Sequence, residues 1–181
     1  GVTGEFNAIT DVPGILVGEK TLISGLPPLK PGKGPIRTGV TSILPKGFEK
    51  EPQPVWAGQY SLNGNGEMTG THWIKDGGYF VGPICLTNTN NVGITHHSAN
   101  KWLLEHYKQY FEKDHLWAMP VIAETYDGVL NDINGQHIKE SDVKEAITNA
   151  KTGIVKEGNS GGGTGMITYE LGNFCNESLG A

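Results

Sequence analysis

Two stretches hold most of the groups that could do chemistry. Residues 157–169 read EGNSGGGTGMITY, with Gly161, Gly162 and Gly163 between a polar entry and a β-prone exit. A glycine triplet permits positive φ and very close backbone approach. Such turns beside strands gather backbone N–H groups around a negative charge; a tight turn with no chemistry has the same sequence. Residues 124–136 read ETYDGVLNDINGQ and carry Glu124, Tyr126, Asp127, Asn131, Asp132 and Asn134 directly after an apolar run. Layered α/β folds place ligands just past strand ends. An Asn amide there can donate to an oxyanion, and losing one such donor typically costs about 2.7–4 kcal/mol of transition-state stabilisation. Asp127-Gly128 and Asn134-Gly135 serve equally well as plain turns.

A third stretch, residues 63–79, reads NGNGEMTGTHWIKDGGY and is poor in core residues. A long irregular run inside a compact domain is more often a functional loop than scaffold. Trp73 and Tyr79 at its far end either line a pocket for an apolar group or cover the core. His96-His97 invites a metal reading. Adjacent histidines diverge on any regular element, however, and no Cys or carboxylate stands at ligand spacing, so no metal is expected. His106 falls on an apolar helix face and reads as a packed core residue. Nucleophile-elbow, phosphate-loop and zinc-peptidase motifs do not occur.

The 181 residues make one domain or part of one, and can bury a core. Net charge is −5 and no basic cluster occurs, which argues against nucleic acid or an anionic membrane as partner. No apolar run approaches the ~20 residues of a membrane span. No signal-peptide pattern is present, although the chain starts at Gly1. Cys85 and Cys175 form no disulfide framework and no metal spacing, which leans towards a reducing, cytoplasmic setting.

These groups need elements to hold them. Residues 7–23 read as short β segments around a Pro13-Gly14 turn, residues 25–35 as a Pro/Gly surface loop, and residues 36–45 as a strand. Val55 to Leu62 and Val81 to Asn88 read as further strands, with a short helix starting near Gly70. Ala99, Trp102, Leu103, His106, Tyr107, Tyr110 and Phe111 recur at helical spacing, with Ser98 or Thr95 as cap. Leu116 to Ala123 is another apolar strand. Val143, Ala146, Ile147 and Ala150 mark a second helix between a Ser141 cap and a Gly153 stop. Strands flanking two helices predict a layered α/β domain. No internal repeat occurs.

Six segments, in order, resemble one family: residues 7–18 (NAITDVPGILVG), 37–45 (RTGVTSILP), 63–79, 86–88 (LTN), 123–135 (AETYDGVLNDING) and 158–169 (GNSGGGTGMITY). The family is the L-aminopeptidase/D-Ala-esterase-amidase (DmpA) and β-aminopeptidase group of self-processing serine peptidases. The resemblance implies an αββα four-layer sandwich similar to the N-terminal-nucleophile hydrolases, with this chain as its α-subunit part over residues 1–169. It implies no cofactor and no metal. A Ser at the start of a separate β subunit would be the nucleophile, its own amine or a neighbour the base. Substrates would be small peptides, amides or esters, including D-amino acid ones, and αβ units would assemble into a larger oligomer.

On that resemblance Asn131 is the first choice for the oxyanion donor and Asn134 the second. Tyr79 would contact the acyl centre. Glu67 or Asp76 would hold the substrate amine, Trp73 would face the substrate, and Gly163 and Gly165 would let the backbone pass close to the catalytic Ser. After Tyr169 the pattern departs. The tail, residues 170–181, reads ELGNFCNESLGA where the family has a linker and the nucleophilic Ser. Cys175 falls near the position of that Ser, and a thiol can replace a hydroxyl. Its neighbours do not match, so neither Cys175 nor Ser178 is expected to act. The chain alone is therefore expected to be inactive and to need a β subunit. The alternative is a truncated non-catalytic relative that binds small peptides or amines, or assembles with a full-length relative.

Overall fold

The computed structural model describes residues 1–114 and 117–152. Residues 153–181 lie outside them, and with them the Gly-rich stretch, Gly153, Gly163, Gly165, Cys175 and Ser178.

The centre is a four-stranded sheet in the order β1-β2-β5-β6. β1 (Leu16–Ser24) and β2 (Ile36–Leu44) form a long antiparallel pair. β5 (Ile84–Asn88) runs antiparallel to β2, and β6 (Val121–Thr125) runs parallel to β5. Parallel neighbours need a long crossover. Here α2 (Val92–His106) and α3 (Lys108–Asp114) supply it. β3 (Pro54–Trp56) and β4 (Tyr79–Val81) pair separately, next to α1 (Thr71–Gly77).

Strand alternation sends successive side chains to opposite faces. Val40, Leu44, Cys85 and Ile122 lie under α2 and α4 (Glu140–Thr148) in the main core, with Leu103, Val143, Ala146 and Ile147 above them. Each fully buried Val, Leu or Ile contributes about 1.5–3 kcal/mol. α4 lies hard against β1 because Gly18 has no side chain: a Cβ there would collide with the Ala146 carbonyl oxygen. On the opposite face Val121 packs with Ile74 of α1 and Phe80 of β4.

Several sequence expectations shift. The apolar run at 81–88 divides between two sheets, because Gly82 turns at φ 102° with Leu103 packed on it. Residues 7–15 hold a single 3-10 turn, Ile9–Asp11, rather than a β segment. Of the 55–62 run only Val55 and Trp56 pair as strand, within Pro54–Trp56, and the expected strand at 116–123 instead occupies Val121–Thr125. α2 begins at Val92, so Thr95 and Ser98 lie inside it; the Ser98 hydroxyl donates back to the Ile94 carbonyl at 2.7 Å. α2 ends at His106, and Tyr107 breaks it from α3. His106 is exposed, stacked on Trp102 at 4.5 Å, and is not a packed core residue. Ser141 lies within α4; its N-cap is Lys139, whose backbone N–H donates to Asp142 at 2.8 Å.

Candidate active site

β6 organises the site. On its outer edge residues 67–69 run antiparallel: the Thr69 N–H donates to the Ile122 carbonyl and the Glu124 N–H to the Glu67 carbonyl. This pairing carries the chain into α1 and leaves the exposed Glu67 across the bridge from Glu124. Asp76 is exposed on α1.

Before β6, aromatic side chains surround a cavity of about 480 Å³. Trp73 meets Tyr79 edge-on at 5.3 Å and Trp117 edge-on at 5.1 Å. Trp56, Tyr110 and Phe111 complete its aromatic wall. The volume suits a small organic group, and apolar walls with few polar atoms are typical of such sites.

Beyond β6, residues 127–132 close on the start of β2. The Asn131 N–H donates to the Asp127 carbonyl at 3.0 Å, and the Asp132 N–H to the Pro35 carbonyl at 2.9 Å. β5 pairs with β2 only from Thr41 to Ile43, so the loop takes the place of a strand beside Arg37. The Asp132 carboxylate accepts from the Gly32 N–H at 2.8 Å and the Gly34 N–H at 3.1 Å. His137 Nε2 lies 3.4 Å from its Oδ2. A side chain at Gly135 would have to displace the His137 ring.

Inside this loop is a buried polar network. Asn131 is 1% exposed; its Oδ1 accepts the Arg37 backbone N–H at 2.9 Å, and its Nδ2 donates to Asp127 Oδ1 at 3.0 Å. Asn88 donates to Thr38 Oγ1 at 2.9 Å and accepts from Asn91 at 2.8 Å. Burial pushes the Asp127 carboxyl above its ordinary value; hydrogen bonds from Thr38, Asn131 and Asn88 partly offset this. All three groups donate, which suits a carboxylate acceptor. Asn134 is exposed, and its Oδ1 accepts from Asn90 at 3.3 Å.

The candidates thus form two groups. Trp73 and Tyr79 share the cavity before β6, and Asn131 and Asn134 share the loop after it, with Glu67 beside the strand. Four strand steps separate the two ends, about 13 Å at 3.3 Å per residue. Thr38, Asn88 and Asn91 escape sequence reasoning, because each reads alone as an ordinary strand-end or loop residue. Trp56 and Trp117 escape it because pairing and packing, not spacing, bring them to Trp73. Among the described residues, no three His, Cys, Asp or Glu side chains gather as metal ligands. Nor is any helix there long and apolar enough to cross a membrane.

The helix-covered mixed sheet with polar groups beyond its strand ends is a layered α/β domain, and its likeness to solved structures places it in the N-terminal-nucleophile hydrolase fold class. The L-aminopeptidase D-Ala-esterase/amidase of Ochrobactrum anthropi, a prototype of the serine aminopeptidases and a variant of that fold, superposes with TM-score 0.81 at 52% identity, over 87% of this chain and 43% of that one. A Burkholderia sp. β-aminopeptidase superposes with TM-score 0.74 at 43% identity, over 87% of this chain and 42% of that one. The sequence is 50% identical to the β-peptidyl aminopeptidase BapA of Sphingosinicella microcystinivorans over 93% of this chain and 41% of that protein. Residues 7–172 match the model of peptidase family S58, and the chain belongs to that family. It spans about two fifths of the length of the curated relatives it matches.

Proposed function

We propose that this chain is the α subunit of an aminopeptidase that also takes amides and esters. It would release N-terminal residues from small peptides by acyl transfer to the N-terminal Ser of a separate β subunit, produced by self-processing. The observation that carries the reading is the buried Asn131 amide, anchored at both ends in a loop past the sheet, in a chain half identical to a β-peptidyl aminopeptidase. A fixed amide donor that need not reorganise is what a developing oxyanion requires.

In this reading the Ser hydroxyl attacks the substrate carbonyl and its proton passes to the neighbouring amine base. The tetrahedral oxygen is held by Asn131 with backbone N–H groups, and the leaving amine takes up the proton. Water then releases the acyl group by the reverse steps. Glu67, beside Glu124, or Asp76 would attract the substrate's cationic N-terminus, and Trp73 and Tyr79 would receive its apolar part. Because a strand's length separates Asn131 from the ring cavity, the two assignments are tested apart. The αβ units would assemble further.

Intact-mass spectrometry of the purified protein under denaturing conditions decides the first point. A stoichiometric second polypeptide beginning with Ser supports the reading; a single species of 181 residues favours the non-catalytic binding module. Asn131→Ala is expected to lower kcat about 10²–10³-fold. Trp73→Ala is expected to raise KM for substrates with a large apolar group and to leave small ones unaffected.

A further inference from the structure

We infer that Asp127 is a positioning residue, which sets the orientation of the Asn131 amide and so aims its remaining N–H at the acyl oxygen. This rests on Asn131 being the oxyanion donor.

An Asn side chain fits its site equally well by shape when flipped, but a flip exchanges donor and acceptor. Two fixtures oppose that exchange here. The Arg37 backbone N–H can only donate, so it requires Oδ1 on its side. The Asp127 carboxylate accepts, so it requires Nδ2 on the other. One of the two N–H groups of Nδ2 goes to Asp127, which leaves the second for another acceptor. A flipped amide would face a donor to a donor and an oxygen to a carboxylate, in a site almost without water to relieve either.

The carboxylate is itself held. Thr38 and Asn88 donate to it. Thr38 accepts from Asn88, and Asn88 accepts from Asn91, so the chain of donors has one direction. Asp127 and Asn131 are also joined through the backbone. Replacing Asp127 by Asn keeps the volume but adds an N–H₂ that must confront a donor. Among the described residues, Asp127 alone is bonded to the Nδ2 end of Asn131.

The test is a double-mutant cycle in the enzyme as purified, at a temperature well below unfolding. Asp127→Asn is expected to lower kcat about tenfold or more with KM within about twofold, and to have no further effect in an Asn131→Ala background, as for groups acting as one unit. An Asp127→Asn loss of equal size in both backgrounds, or none in the first, overturns the inference. A second readout is independent of turnover: the Asn131 side-chain amide pair in a ¹⁵N NMR spectrum. In the parent protein one proton is expected downfield, bonded to the carboxylate, and to lose that shift in Asp127→Asn. If that shift is lost while Asn131→Ala turns over normally, positioning stands and the oxyanion assignment fails. If the signal is unchanged by Asp127→Asn, the positioning fails whatever Asn131 does. Should Asp127→Asn not fold, Thr38→Val removes one donor to the same carboxylate and is read by the same cycle.

Discussion

Asp127 and Asp132 lie in one loop, both buried, yet their surroundings push their carboxyls in opposite directions. Burial dominates at Asp127 and raises it. At Asp132 the Gly32 N–H dominates, with Gly34 and His137 adding to it, and the carboxyl is held below its ordinary value. A carboxyl lowered by folding adds stability that is present above the unfolded value, near 3.9, and lost as pH falls through the folded one. Asp132→Asn is therefore expected to lower Tm at pH 7, with a wild-type-to-variant gap that narrows below about pH 4 in a calorimetric series. A gap independent of pH would contradict the hydrogen-bonded carboxylate. Cys85 behaves differently: full burial pushes its thiol up to about 12. Only the thiolate alkylates readily. At pH 8 iodoacetamide is expected to leave Cys85 unmodified in the folded protein and to label it in denaturant, as read by peptide mapping.

At the scale of elements, the α4–β1 contact depends on one missing side chain. Gly18→Ala is expected to destabilise the protein by about 1–3 kcal/mol, the usual effect of overpacking, measured by urea titration. The ring group of Trp73, Tyr79 and Trp117 gives a second prediction. Trp73→Ala removes both edge-on contacts and is expected to reduce the near-ultraviolet circular dichroism with the far-ultraviolet spectrum intact. Much of this layer was legible in the sequence. The strand at 36–44, the helix start at Gly70 and the apolar face of α4 follow from alternation, glycine and period. What escaped has physical causes. The segment before Ala99, VGITHHS, is short of strong helix formers and conceals the early start of α2. The single apolar run at 81–88 gives no sign that a turn at Gly82 splits it. Asn131 and the polar loop could be picked out by residue type and strand-end position. Their partners Thr38 and Asn88 could not, because sheet pairing sets β2 beside β5 and the loop after β6 then folds Asp127 against both.

For the whole molecule, the two faces of the sheet are unequally dressed. α2 and α4 bury one; on the other, Ile43, Ile84, Leu86 and Ala123 stay partly exposed. Apolar surface left wet costs about 25 cal/mol per Å². The 181-residue chain without a partner is expected to sediment as more than a monomer, and Ile43→Thr with Leu86→Thr on that face to shift it towards the monomer. A monomer before substitution would mean that this face is covered some other way. The Asp132 bonds to Gly32 and Gly34 span 100 and 98 residues of sequence. Synthesis at about 5–20 residues per second delivers the second half of that clasp roughly 5–20 s after the first. Throughout that interval the nascent chain holds its Pro/Gly loop unfastened, and from the synthesis of Asn88 until that of Asp127 the end of β5 stands without its carboxylate. The polar loop can therefore close only once residue 132 is made, and a ribosome stall between β5 and that residue leaves the β1-β2-β5 sheet begun with Thr38 and Asn88 still lacking Asp127 and Asn131.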